Sequence, residues 1–213
     1  MRGVSFKKII TMSITHLNNE NLAIETTRKK SIQIMQKGIV SYKLACLGWE
    51  ISDHYGDGYD LLCVYSKTEK PHIIKLELKG VDINYSGTSP GFSQSVSQNE
   101  ISTASHLVIS LFDDISPIGH YIMTLSQMFE SKKSNSRNNK DFSDYLNFEE
   151  YRRKAIISTK KKIITRKGHA KKEEKQPRLD IDIGCTPKQF NKRKWFLEEF
   201  NNKWENLLQV NQY

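Results

Sequence analysis

The sequence predicts an α/β or α+β domain in which helices flank one mixed β-sheet. Three observations carry this reading: a long stretch of helical periodicity near the N-terminus, two short apolar runs joined by a polar turn, and two more apolar runs after a helix-capping motif. With 213 residues the chain can bury one sizeable core and has little room for a second.

The elements follow in order. From Asn18 to Leu47, apolar residues such as Leu22, Ile32, Met35, Ile39, Val40 and Leu44 recur at helical spacing with no proline between them, and Gly48 ends the helix. Trp49-Glu50-Ile51 is a short strand. His54-Tyr55-Gly56-Asp57-Gly58 is a loop whose two glycines permit a tight path. Tyr59–Tyr65 and Ile73–Leu78 are apolar runs joined by the turn Ser66–Pro71, which makes them a hairpin of central strands. Phe92–Val96 is a third strand. Ser97-Gln98-Asn99-Glu100 has the form of a capping box and opens a helix through about Ala104, and His106–Phe112 and His120–Leu125 complete the sheet.

After Glu130 the texture changes. Ser131–Lys140 is all Ser, Lys, Asn and Arg, and Arg152–Lys175 holds eleven basic residues opposed only by Glu173 and Glu174. Such stretches are expected to be mobile or ordered by a partner. Pro187–Leu208 then predicts an amphipathic helix that docks back on the core through Phe190, Trp195, Phe196, Phe200, Trp204 and Leu208. The organisation is thus a core over residues 1–130 and a basic, partly flexible segment with a C-terminal helix over 131–213.

Composition narrows the function classes. No apolar run is long enough to cross a bilayer, and the N-terminus lacks the apolar stretch and small-residue cleavage site of a secretory signal. Cys46, Cys63 and Cys185 are odd in number and widely spaced, and the first two lie in apolar segments. They read as small buried hydrophobes in a reducing, cytoplasmic compartment. Lys and Arg total 33 against 24 Asp and Glu, a net charge of +9 that draws a chain toward polyanions.

The chemistry concentrates in Ile73-Ile74-Lys75-Leu76-Glu77-Leu78-Lys79-Gly80. Side chains alternate faces along a strand, so Lys75, Glu77 and Lys79 share one face and Leu76 and Leu78 enter the other. Asp60 opens the partner strand after the glycine loop, and hairpin closure brings its carboxylate toward Glu77. Two carboxylates and a lysine in one patch are what phosphodiester hydrolysis needs. Hard divalent cations prefer oxygen ligands, and a fixed positive charge stabilises the transition state.

Gly58-Tyr59-Asp60 followed by Glu77-Leu78-Lys79 resembles the motif of the PD-(D/E)xK nuclease superfamily, the restriction-endonuclease-like fold, over about Gln33 to Leu125. The resemblance implies Mg²⁺, for which Mn²⁺ can substitute, bound by Asp60, Glu77 and the backbone carbonyl of Leu78. It also implies a catalytic role for Lys79. Tyr59 replaces the usual proline before the Asp. Where many relatives carry a Glu on the first helix this chain has Gln36 and Lys37, with Glu25 further up, and where some carry a Gln on the later helix it has Gln98. A duplex-cutting relative uses two sites, so the resemblance implies a homodimer acting on double-stranded DNA.

Blander readings stand beside these. The alternating Lys75-Glu77-Lys79 could be the solvated face of an edge strand. Glu100 has a sufficient role in closing the capping box. His54 and Asp57 fit solvated loop groups, and His72, His106 and His120, at no metal-ligand spacing, fit structural roles. Within the basic run, Arg152, Arg153, Lys160, Lys161, Lys162, Arg166 and Lys167 are candidate phosphate contacts, or else a solvated insertion. Trp195 and Trp204 read as core anchors. The sequence therefore predicts a Mg²⁺-dependent endonuclease hydrolysing DNA, with a restriction or defence role, and its rival is a catalytically inactive nucleic-acid-binding module of the same fold.

Overall fold

The computed structural model describes residues 6–56, 58–82, 92–113, 116–135, 142, 145–165, 179–183 and 198–208. The chain opens with α1 (Phe6–Cys46), followed by the strands β1 (Glu50–Asp53), β2 (Leu61–Tyr65) and β3 (His72–Asp82). Next come β4 (Phe92–Val96), α2 (Gln98–Thr103), β5 (His106–Asp113) and β6 (Ser116–Thr124). The helices α3 (Leu125–Asn135) and α4 (Phe148–Thr165) follow, and then β7 (Leu179–Ile183) and two 3₁₀ turns, Glu198–Phe200 and Trp204–Leu208.

The main sheet has five strands in the order β1-β2-β3-β5-β6. The β1-β2, β2-β3 and β5-β6 pairs are antiparallel and the β3-β5 pair is parallel, so the sheet is mixed and the fold is of the α/β class. Its parallel pair forces a crossover from β3 to β5, and α2 lies in that connection. One face packs beneath α1, where Val40 and Leu44 meet Leu61, Cys63, Ile74, Leu76, Leu78 and Val108. The other face carries Val81, Leu107, Ile109 and Leu111 against Ile101 of α2, Phe129 of α3 and Tyr151 and Ala155 of α4. That second cluster draws on residues from both sides of position 130.

α1 begins at Phe6, twelve residues before the start suggested by apolar periodicity. Its C-terminus is as expected. Gly48 sits at φ 90°, where a side chain would be strained, and Trp49 N–H returns to the Leu44 carbonyl at 3.0 Å while Gly48 N–H reaches that of Ala45 at 2.9 Å. The hairpin closes in the register Leu61↔Leu76 to Tyr65↔His72.

Four expectations are corrected. Phe92–Val96 is a strand, but it pairs with Leu179–Ile183 in a separate two-stranded sheet, not with the main one. The alternation Leu179-Asp180-Ile181-Asp182-Ile183 was the overlooked sign of its partner. The basic run from Arg152, expected to be mobile or ordered by a partner, is helical through Thr165, because Phe148, Tyr151 and Ala155 recur at helical spacing and are buried. Cys46, expected inside, is exposed, whereas Cys63 is buried and its thiol is pushed up to about 12 by burial. Cys185 lies outside the described residues.

The fourth correction concerns the C-terminal helix. Its residues 187–197, with Phe190, Trp195 and Phe196, lie outside the described residues. The remainder is not one helix, since two 3₁₀ turns are separated by Asn202 at φ 54°. It does dock on the core. Asn202 N–H donates to the His120 carbonyl at 2.7 Å, Asn206 Nδ2 donates to that of Ile122 at 2.7 Å, and Phe200 and Leu207 are buried. This segment covers the outer edge of β6, which would otherwise offer unpaired backbone groups. No helix among the described residues is long and apolar enough to cross a membrane.

Candidate active site

The polar face of β3 runs from solvent into the core. Ile73 is 60% exposed and Lys75 is exposed, Glu77 is 5% exposed, Lys79 is half-buried, and Val81 is in the core. Glu77 and Lys79 therefore sit at the margin where α2 begins to cover the sheet. A solvated edge face does not bury a carboxylate this deeply, so the bland reading of this strand fails at Glu77.

Asp60 comes to the same place by backbone geometry. The loop before it is closed by His54 N–H on the Asp60 carbonyl at 3.0 Å, and Asp60 N–H donates to the Leu76 carbonyl at 2.9 Å. Gly58, at φ 114°, lets the backbone pass against α2, where Thr103 Oγ1 donates to the Gly58 carbonyl at 2.7 Å. The ladder to β2 ends at Leu76, and just beyond it Leu78 N–H donates to Asp60 Oδ2 at 2.8 Å. In an antiparallel ladder a residue's N–H and C=O leave by the same edge, so the Leu78 carbonyl faces this same unpaired stretch. Asp57 lies outside the described residues. His54 stacks on Tyr59, with ring centroids 4.0 Å apart, which accounts for it structurally.

Lys79 Nζ bridges two carboxylates, Glu77 Oε1 at 2.6 Å and Glu100 Oε1 at 2.9 Å. Burial pushes Glu77 up to about 8, with Lys79 opposing and the negative charge of Asp60 adding to the rise. Burial also raises Asp60, against the Leu78 N–H and the charges of Lys79 and Lys37. For Lys79 burial acts downward, but Glu77 and Glu100 outweigh it and hold the ammonium above its ordinary value. Three carboxyl groups thus stand around one half-buried ammonium, and ionising all of them would leave an excess of negative charge.

That excess and the oxygen donors suit a hard cation. Mg²⁺ usually takes one or two carboxylates and keeps several waters, and Asp60, Glu77 and the Leu78 carbonyl can supply such a partial shell. They do not make a closed cage: no group of three or more His, Cys, Asp or Glu among the described residues could hold a metal ion by itself.

Asp60, Glu77, Leu78 and Lys79 thus come together, and the other candidates do not all join them. Gln36 is buried on the opposite, α1-covered side, where Nε2 donates to the Val108 carbonyl and to Ser110 Oγ, both at 3.1 Å. Lys37, not Gln36, is the α1 residue near the site, and it pairs with Asp53 at 3.1 Å. Gln98 opens α2, half-buried. Glu25 has no described side chain. Arg152 braces α4 to α2 by donating to the Ser102 carbonyl at 3.1 Å, so its guanidinium serves the fold. Arg153 is exposed on α4, and Lys160, Lys161 and Lys162 lie on the same helix without described side chains. Arg166 and Lys167 lie outside the described residues.

Sequence reasoning missed Glu100 as a site residue. It does close the capping box, with Ser97 N–H on its Oε2 at 2.7 Å, and that role hid the other. The three strand histidines make contacts within the fold: His72 contacts the Leu207 carbonyl at 2.9 Å, His106 contacts Ser105 Oγ at 2.9 Å, and His120 contacts Ser110 Oγ at 2.9 Å. No family model, curated protein or solved structure matches the chain.

Proposed function

We propose that this chain is a divalent-metal-dependent endonuclease of restriction-endonuclease-like fold that hydrolyses DNA phosphodiester bonds. The observation that carries this reading is the convergence of Asp60, Glu77 and Lys79 where β2 and β3 part, with Leu78 N–H seated on Asp60 Oδ2 at 2.8 Å. Asp60, Glu77 and the Leu78 carbonyl would hold Mg²⁺ or Mn²⁺. Such an ion supplies charge neutralisation at the phosphate and lowers the pKa of a bound water. Lys79 adds a fixed positive charge on the same patch, placed to stabilise developing negative charge on the phosphate or to orient the attacking water. The net charge of +9 favours approach of the polyanion, and the exposed cations of α4 are candidates for contacts with its backbone. Cutting both strands of a duplex takes two such sites, hence a homodimer, and the free thiols of Cys46 and Cys63, the two cysteines among the described residues, suit a reducing cytoplasm.

Mg²⁺-dependent nicking of supercoiled plasmid tests the reading. Asp60→Ala and Glu77→Ala should each abolish nicking while the fold survives, because each removes one of few oxygen ligands. The inactive binding module is favoured by one observation: α1 presents Lys37 near the site where a third carboxylate would strengthen metal binding. Salt-sensitive retention of DNA without any Mg²⁺-dependent nicking would establish that rival.

A further inference from the structure

Glu100 is held from two directions. Its Oε2 accepts Ser97 N–H at 2.7 Å, and its own N–H donates to Ser97 Oγ at 3.3 Å, so reciprocal bonds clamp it across the first turn of α2. That clamp uses one carboxylate oxygen. The other, Oε1, receives Lys79 Nζ at 2.9 Å, while the same ammonium reaches Glu77 at 2.6 Å. α2 is itself fixed, by Thr103 on the Gly58 carbonyl, by Arg152 on the Ser102 carbonyl, and by burial of Ile101 and Ala104. A rigid chain of contacts therefore runs from the core to the tip of a long, flexible lysine that is otherwise held only by Glu77 on its own strand.

We propose that Glu100 is the positioning residue for Lys79, its capped carboxylate fixing the ammonium beside Glu77. This deepens the nuclease reading and rests on it only for the catalytic consequence. Capping and positioning need different atoms, which makes them separable. In Glu100→Gln the amide has a single oxygen. It can still close a capping box but cannot also accept from Lys79 at the second position. In Ser97→Ala the cap hydroxyl is lost, but the backbone N–H that anchors Glu100 Oε2 remains.

Two readouts are taken on the full chain: the ¹H–¹⁵N cross-peak of the Lys79 ammonium, identified by its loss in Lys79→Arg, and steady-state plasmid nicking in Mg²⁺. Glu100→Gln should melt close to wild type, lose the cross-peak, and cut with kcat lowered about 10²-fold at unchanged KM, the scale of a small misplacement of a reacting group. Ser97→Ala should melt lower yet keep both the cross-peak and kcat. The proposal is overturned if Glu100→Gln keeps the cross-peak at full intensity, or if both variants lose activity in proportion to their loss of melting temperature. If the wild type cuts nothing, the nuclease reading falls, and the cross-peak alone then decides the role of Glu100.

Discussion

Glu77→Gln is expected to make the metal-free protein more stable at alkaline pH. Glu77 is 5% exposed, and its carboxyl is pushed from 4.5 to about 8, chiefly by burial. Between those values the folded state binds a proton that the unfolded chain has released, so stability falls as pH rises through the window. Below 4.5 both states hold the proton and there is no penalty. Above 8 it is complete, and a shift of about 3.5 units at 1.36 kcal/mol each makes it roughly 5 kcal/mol. The amide cannot ionise and escapes this cost. The charged bond to Lys79 is already counted in that shift, so with the two proteins matched at low pH the gain at pH 9 is on the order of 5 kcal/mol. At pH 4 the two proteins should agree within about 1 kcal/mol. Urea melts in EDTA from pH 4 to 9 measure this. Millimolar Mg²⁺ should then narrow the difference at pH 9, because a cation binding only the folded wild type stabilises it by mass action. A wild-type curve that rises with pH across the window, or a constant difference between the two proteins, would refute the reasoning.

Lys79→Ala should lower the nicking rate by about 10²-fold or more while metal affinity holds or rises slightly, and Lys75→Ala on the exposed end of the same face should cost little. Equal cutting by wild type and Lys79→Ala would show that this strand does not carry the catalytic lysine. Gly58→Ala should destabilise by about 1–3 kcal/mol, since φ is 114° and Thr103 packs on that carbonyl, and differential scanning calorimetry would show it as a lowered Tm. Burial, with Lys43 adding to it, holds His120 below its ordinary 6.5. The unfolded chain therefore takes its proton first, stability drops as pH falls below about 6.5, and that portion of the acid limb should vanish in His120→Gln. Replacing Lys160, Lys161 and Lys162 together by Ala should reduce the slope of log affinity against log salt by up to about 2.7, and an unchanged slope would mean that these lysines are only solvated.

Much of the main sheet was legible because its signals are local. The hairpin of β2 and β3 follows from two apolar runs and a polar turn, the end of α1 from Gly48, and the start of α2 from Ser97 and Glu100. Side-chain alternation alone placed Glu77 and Lys79 on one face. The elements that were misread depend on partners far away in the chain. β4 resembles any short strand, and its pairing with β7 joins segments more than eighty residues apart. The fate of Arg152–Thr165 was hidden by charge, although Tyr151 and Ala155 bury the other side of that helix.

The sequence by itself singled out the candidate residues: an acid after a glycine turn and an E-x-K on an alternating strand, both read from local pattern. Only the tertiary structure decided which of them meet. Asp60 reaches the edge of β3 because the ladder ends at Leu76, and Gln36 is excluded because α1 crosses the opposite face. Glu100 enters because a six-residue helix is pinned beside Lys79. A capping box looks the same in sequence wherever its helix lies. The direction of its spare carboxylate oxygen is set by packing between elements, which no local pattern encodes.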